Sequence, residues 1–172
     1  MKPALPLNDR EIEAIYCRHV DTVYRVCFSF MKNRADTEDI VQETFLKLIS
    51  HHMRFESPEH EKAWLIVTAS NLCKNSLKHW WRRNEDIDSL ANISQEYDFD
   101  TGETLRAIMA LPKDYKTVVY MYYYEGYSTP EIADFTGSPQ ATVRSKLHRA
   151  RKLLKDVLGG DADEPARYSK SL

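Results

Sequence analysis

A chain of 172 residues with 24 Lys+Arg against 26 Asp+Glu has room for one medium domain or two small helical ones. No apolar run approaches bilayer-spanning length and the opening MKPALPLNDREIEAI holds no apolar signal core, so a cytoplasmic protein without membrane insertion is expected. Cys17, Cys27 and Cys73 form no CxxC pair and no metal-ligand spacing, which predicts reduced thiols, no metal and no cofactor.

The net charge of −2 hides a partition. Residues 1–83 carry 13 Lys+Arg and 11 Asp+Glu, whereas residues 84–104 carry seven acids and no base. Residues 105–158 carry nine Lys+Arg against five acids, and residues 159–172 two against three. Two near-neutral or basic blocks around an acidic connector predict two modules and a linker.

Along the first module, Ile12, Ile15, Tyr16, His19, Val23, Val26, Cys27 and Phe30 recur by threes and fours. This predicts an amphipathic helix from about Asp9 to Met31, with His19, Cys17 and Cys27 as core or near-core residues. A second helix is predicted to open at Asp36, with Thr37, Glu38 and Asp39 in a first turn that suits the helix dipole. Val41, Phe45 and Leu48 face its core, while Asp39, Gln42 and Glu43 share the far side. Such a face is either simply solvated or docks on a basic partner helix.

A third helix, capped by Ser57 with Pro58 in its first turn, runs toward Arg83. Ala63, Ile66, Ser70, Cys73 and Leu77 lie on one side. Asn71, Asn75, Lys78 and Arg82 make a separate polar stripe with Lys74 beside it, and Trp80 and Trp81 stand among the last cations. Planes to stack on, amides for base edges and cations for phosphates are what single-stranded DNA binding uses. A tryptophan taken singly is more often a core anchor, and at least one of the two is predicted to be so.

In the second module, Tyr120 and Tyr122–Tyr124 read as core plus amphipathic surface. Ser128 with Glu131 forms a capping-box pattern that opens a helix over Ile132, Ala133 and Phe135. Gly137 can take the left-handed conformation that stops it, and Ser138-Pro139 caps and starts the next helix. Val143, Leu147, Ala150 and Leu154 give that helix one buried stripe. Ala141, Ser145, His148 and Lys152 fall opposite, flanked by Arg144 and Arg149. This is the layout of a helix-turn-helix, whose second helix lies in the DNA major groove. Gln140, Arg144, Ser145 and His148 stand nearest the base edges; Arg149, Arg151, Lys152 and Lys155 are predicted to meet phosphates. An ordinary hairpin with a solvated basic face is the alternative, against which cap, turn glycine, second cap and one-sided charge all agree. The tail after Leu158 has the composition of a disordered end.

The segments DTEDIVQETFLKL, AWLIVTASNLCKNSLKHWWRR and LPKDYKTVVYMYYYEGYSTPEIADFTGSPQATVRSKLHRARKLL follow in this order. Together they resemble bacterial RNA polymerase sigma factors of the extracytoplasmic-function class over nearly all of Tyr16 to Leu158. The resemblance implies an all-α fold of two small helical domains joined by a flexible acidic linker, the C-terminal one a helix-turn-helix. Residues 1–83 would be region 2, which binds core polymerase and recognises and melts the −10 element. Residues 84–101 would be the linker, 102–158 the −35-reading region 4, and 159–172 a disordered tail. Asp39, Gln42 and Glu43 match the family's polymerase-docking positions. Asn71, Lys74, Asn75, Lys78 and Arg82 fall in its −10 segment, with Asn75 where an amide helps hold a flipped base. Gln140, Arg144, Ser145, His148, Arg149 and Lys152 fall on its −35 reader.

The implied partners are core RNA polymerase, promoter DNA and an anti-sigma factor, and the implied role is promoter specificity without catalysis. Two positions depart from the pattern: Thr37 stands where Ala is usual, and Trp80-Trp81 is bulkier than usual. The chain has no room for the central domain of housekeeping sigma factors. A stand-alone helix-turn-helix regulator would not need the Asp39/Gln42/Glu43 face. An enzyme or metal sensor would need a converging nucleophile, base or ligand set, and the sequence offers none.

Overall fold

The computed structural model describes residues 5–51, 54–83 and 102–158, with only the backbone for Arg83 and residues 156–158. Seven α-helices and one π-helical turn account for the regular structure among them. The chain divides into two compact units, residues 1–100 and 101–172. The acidic linker at 84–101 and the tail at 159–172 lie outside the described residues.

The first unit packs three helices: α1 (Asp9–Met31), α2 (Arg34–Ser50) and α3 (Pro58–Arg83). Asn8 caps α1, its Oδ1 accepting from the Glu11 amide at 3.0 Å while the Glu11 carboxylate accepts from the Asn8 amide at 2.9 Å. Two orphan amides of the first turn are thereby satisfied. The helix stops at Lys32, whose left-handed backbone (φ 60°) turns the chain after its N–H has bonded Phe28 O. Asn33 follows at once as the cap of α2, accepting from the Asp36 amide at 2.9 Å. The second helix therefore opens at Arg34 and not at Asp36, because the short oxygen-bearing side chain that can reach the third amide on belongs to Asn33. Ser57 caps α3 as predicted, its Oγ accepting from the His60 amide at 3.1 Å.

Ile15, Val23, Val26, Cys27 and Phe30 of α1 pack with Ile40, Val41, Phe45 and Leu48 of α2 and Ala63, Leu65, Ile66, Ala69 and Cys73 of α3. Three hydroxyls enter this core and back-bond to their own helices: Ser29 to Val26 O, Thr37 to Asn33 O and Thr44 to Ile40 O. Thr37 thus fits fully buried because its hydroxyl has a carbonyl to satisfy it. Cys17 is exposed, contrary to its expected core position. At about 100° per residue it points some 200° away from Ile15 and His19, which define the buried side. Tyr16 also ends half in water, with its ring 4.8 Å from that of Phe45.

Among the described residues of this unit, buried ionisable side chains meet at one place. His19 on α1 and Glu61 on α3 are both buried, with His19 Nε2 2.6 Å from Glu61 Oε1. Arg18 Nη1 reaches the same oxygen at 2.6 Å from the rim.

The second unit holds α4 (Gly102–Met109), α5 (Lys113–Val119), a π-helical turn (Tyr120–Tyr124), α6 (Thr129–Thr136) and α7 (Gln140–Leu158). Leu105, Ile108, Leu111, Val118, Val119, Met121, Ile132, Val143, Leu147 and Ala150 form its core. In the π-turn the Glu125 amide bonds Tyr120 O at 3.1 Å, five residues back, so one extra residue is held in the turn. Tyr120 and Tyr123 are buried and Tyr122 and Tyr124 half-buried, the mixture of core and surface that the cluster's pattern predicted. The Ser128/Glu131 capping box forms, and Gly137 ends α6 at φ 67°, a conformation that costs a side-chain-bearing residue energy. Pro139 O accepts the first bonds of α7, from Thr142 and Val143, so the cap position falls on Pro139 and not on Ser138.

Candidate nucleic-acid interface

Val143, Leu147, Ala150 and Leu154 are buried, which turns Arg144, Ser145, His148, Arg149 and Lys152 outward along α7. Between Gln140 and Lys155 there are six Lys+Arg and no acid, so this face is cationic from end to end. Gln140 is half-buried, and its amide donates to Thr129 Oγ1 at 3.2 Å, tying the start of α7 to the start of α6. An open groove of about 480 Å³ runs beside the helix, lined by Asp114, Tyr115, Ala141, Thr142, Ser145, Lys146 and Arg149. Lys146 escaped the sequence reading; its place next to the Leu147 stripe hid that it lines this groove.

Arg151 does not join the outward cations. Its Nε donates to the Tyr123 hydroxyl, and its guanidinium lies 5.9 Å and 5.8 Å from the ring centres of Tyr122 and Tyr123. The expectation that Arg151 meets phosphates is therefore corrected: it braces α7 against the π-turn. A guanidinium stacks on aromatic faces more readily than an ammonium, which is why this cation turns inward while Lys152 stays in water.

On α3 the buried side (Ala63, Ile66, Ser70 and Cys73) leaves Asn71, Asn75, Lys78 and Arg82 exposed, with Lys74 half-buried beside them. From Asn71 to Arg82 the stripe rises about 16 Å along the helix. No acid occurs on α3 after Glu61, so nothing along the stripe cancels its charge. Trp80 is half-buried and Trp81 is 40% exposed.

On α2, Asp39, Gln42 and Glu43 are all exposed. Leu46 (63% exposed) and Ile49 (49%) continue the same face at i+7 and i+10 from Asp39. The sequence reading missed these two, although an apolar pair off the Val41/Phe45/Leu48 stripe is the signal that marks them. The result is one acidic face with an apolar end.

Burial places three groups off their ordinary pKa in the first unit: it raises Tyr24, with Glu38 adding to the rise and Arg34 opposing it, and it lowers His19 and Lys32. His19 is held below 6.5, chiefly by desolvation, with the Glu61 hydrogen bond and charge pulling upward and Arg18 and Lys62 adding to the lowering. Lys32 is lowered by desolvation. Among the described residues no group of three His, Cys, Asp or Glu is placed to hold a metal ion, and no helix is long and apolar enough to cross a membrane.

Two families match this chain: Sigma-70 region 2 over residues 15–83 and Sigma-70, region 4 over residues 101–154. RNA polymerase sigma factor SigV of Bacillus subtilis is 33% identical over 141 residues, 80% of this chain and 84% of that protein. ECF RNA polymerase sigma factor SigE of Mycolicibacterium smegmatis is 31% identical over 161 residues, 87% of this chain and 62% of that protein. Among solved structures, the sigma factor RpoE of Bartonella quintana in complex with the anti-sigma factor NepR superposes with a TM-score of 0.68. That match covers 90% of this chain and 99% of the other at 21% identity, a likeness of fold. The two family matches, in the same order as the two helical units and backed by relatives above 30% identity over most of this chain, lead to one conclusion: the chain belongs to the extracytoplasmic-function class of RNA polymerase sigma factors and is a promoter-specificity subunit.

Proposed function

We propose that residues 1–83 bind core RNA polymerase through Asp39, Gln42 and Glu43 and recognise and melt the −10 element through Asn71, Lys74, Asn75, Lys78 and Arg82. Residues 102–158 then read the −35 element with Gln140, Arg144, Ser145, His148, Arg149 and Lys152, and residues 84–101 connect the two. The protein works in the cytoplasm and carries no catalytic chemistry of its own. Its partners are core polymerase, promoter DNA and an anti-sigma factor; the RpoE structure of Bartonella quintana holds such a factor.

The observation that supports this division is the separation of three exposed faces of different chemistry. The α2 face is acidic and apolar, the α3 stripe pairs amides with cations, and the α7 face is cationic. A regulator that bound only duplex DNA would use α7 and leave the other two without purpose. Only a protein that meets a basic protein surface, an unpaired strand and a duplex calls for all three. Run-off transcription with purified core polymerase, on a promoter from the protein's own operon, tests the reading. Transcripts that start only when the protein is added support it. Tight duplex binding without polymerase and no transcript would make the protein a stand-alone regulator.

A further inference from the structure

We infer that Trp81 is a stacking platform for an unpaired nucleobase, set at the far end of the α3 stripe. The inference rests on the reading of α3 as the face that meets melted DNA. Trp81 leaves 40% of its surface in water, an unfavourable state for the largest apolar ring a protein has. Trp80 is half-buried and meets it edge-to-face, with ring centres 5.4 Å apart and planes at 84°. Neither ring is buried in the core, contrary to the expectation that at least one anchors there, and Trp81 is the more exposed of the pair.

The surroundings of the Trp81 ring select the partner. Lys74, Lys78 and Trp81 stand at i, i+4 and i+7 and so share one side of the helix, and Arg82 adjoins. An exposed aromatic plane bordered by cations suits a ligand that is planar and apolar in one part and anionic in the next. A single strand of DNA has that alternation in every nucleotide. Asn71 and Asn75 lie beyond the lysines, about 80° and 120° round the axis from Trp81, with amides that can both donate to and accept from base edges. Trp81 lies six residues beyond Asn75, about 9 Å along the axis. At about 3.4 Å per stacked base, that is two or three nucleotides away. The base on Trp81 is therefore a different one from the base at Asn75. Stacking does not discriminate among bases, so this contact holds the strand open and leaves identity to the amides.

The test uses holoenzyme on a forked template whose −10 segment is unpaired, with 2-aminopurine placed at successive positions. Wild-type protein is expected to quench one position two or three nucleotides from the base sensitive to Asn75→Ala. Trp81→Ala should abolish that quench and weaken binding of the fork roughly 5- to 150-fold, the range that one base–aromatic stack spans. Trp81→Phe should keep most of both, and binding of a fully paired −35 duplex should not change. Trp81→Leu, which keeps an apolar side chain without a plane, should behave as Trp81→Ala does; wild-type fork binding by either variant overturns the platform. Equal loss of affinity for core polymerase in the absence of DNA also overturns it, because the ring then meets protein. If Asn75→Ala and Lys78→Ala leave fork binding unchanged, the −10 reading of α3 falls and the platform falls with it. If those two weaken binding and Trp81→Ala does not, the platform alone falls.

Discussion

His19 Nε2 donates to Glu61 Oε1 across 2.6 Å, and Arg18 Nη1 donates to that same oxygen at 2.6 Å. A carboxylate can only accept, so His19 carries its proton on Nε2 in the neutral form. Glu61 favours a second proton on the ring through its hydrogen bond and charge, while Arg18 and Lys62 oppose it more weakly. Burial then dominates and keeps the imidazole below its ordinary 6.5.

The sign of the pH dependence follows from that lowering. The unfolded chain takes up the proton near 6.5, and the folded one only at lower pH. The stabilisation is complete above 6.5 and is lost as pH falls through the window between the two values, by at most about 1.4 kcal/mol per pH unit. Urea unfolding of the full chain should show a midpoint that is level above neutrality and falls toward pH 5. His19→Gln should flatten that fall. Glu61→Ala, which strips Arg18 and His19 of their shared acceptor, should cost about 1.5–3 kcal/mol at neutral pH.

Charge reversal on α2 should separate docking from folding. Asp39→Lys and Glu43→Lys point away from the core, so the circular dichroism of each variant should match wild type. Affinity for core polymerase, measured by fluorescence anisotropy, should drop about tenfold or more, because like charge then faces a basic surface. Leu46→Ser should lose affinity as well while raising solubility, since this exposed side chain has no packing to forfeit.

Asn75→Ala is expected to spare the closed complex and impair the open one. A base-edge contact exists only after the strand has separated, so the loss appears in permanganate reactivity of the melted segment and not in duplex footprints. Equal effects on both steps would assign Asn75 a structural part.

Along α7 three classes of cation should come apart in one experiment, binding of holoenzyme to a −35 library at two salt concentrations. Arg144→Ala should cost about 1–3 kcal/mol on the preferred sequence and relax discrimination at one or two positions. Lys152→Ala should weaken every sequence alike and lower the salt slope by about one. Arg151→Ala should leave both the preference and the salt slope nearly intact and instead destabilise the C-terminal unit, since its partners are Tyr122 and Tyr123.

The helices and their buried sides were legible because periodicity reports directly on burial. The Val143/Leu147/Ala150/Leu154 stripe and the Ser128/Glu131 box appear in the structure as the residues alone predicted. What the sequence hid were choices between equivalent-looking neighbours. Asn33 and Asp36 are both good caps, and the geometry of the two-residue turn after Met31 selects Asn33. Arg149, Arg151 and Lys152 are all cations, and only the tertiary position of Tyr123 draws Arg151 inward. Leu46 and Ile49 differ from these: their place off the Val41/Phe45/Leu48 stripe marks them in the sequence, and the structure leaves both exposed. The α3 stripe and the α7 face carry nucleic-acid chemistry legible in their amides, cations and caps, whereas the docking role of Asp39, Gln42 and Glu43 rests on the resemblance; pattern alone would leave the α2 face as solvated surface.

The π-turn at Tyr120–Tyr124 makes a residue count, and not a side chain, set the direction in which the chain leaves α5. One extra residue in a helical turn rotates all that follows by about 100° relative to an unbroken α-helix. Gly126 (φ 76°) and the Tyr127 amide on Met121 O then fix that exit before the Ser128 cap begins α6. Replacing any one of these tyrosines leaves the spacing intact, whereas deleting one would join α5 into a continuous α-helix. The brace helix and the reading helix beyond it would then swing as a body. Insertions and deletions here act as a steering change on the DNA-facing surface, while point substitutions act only on its stability.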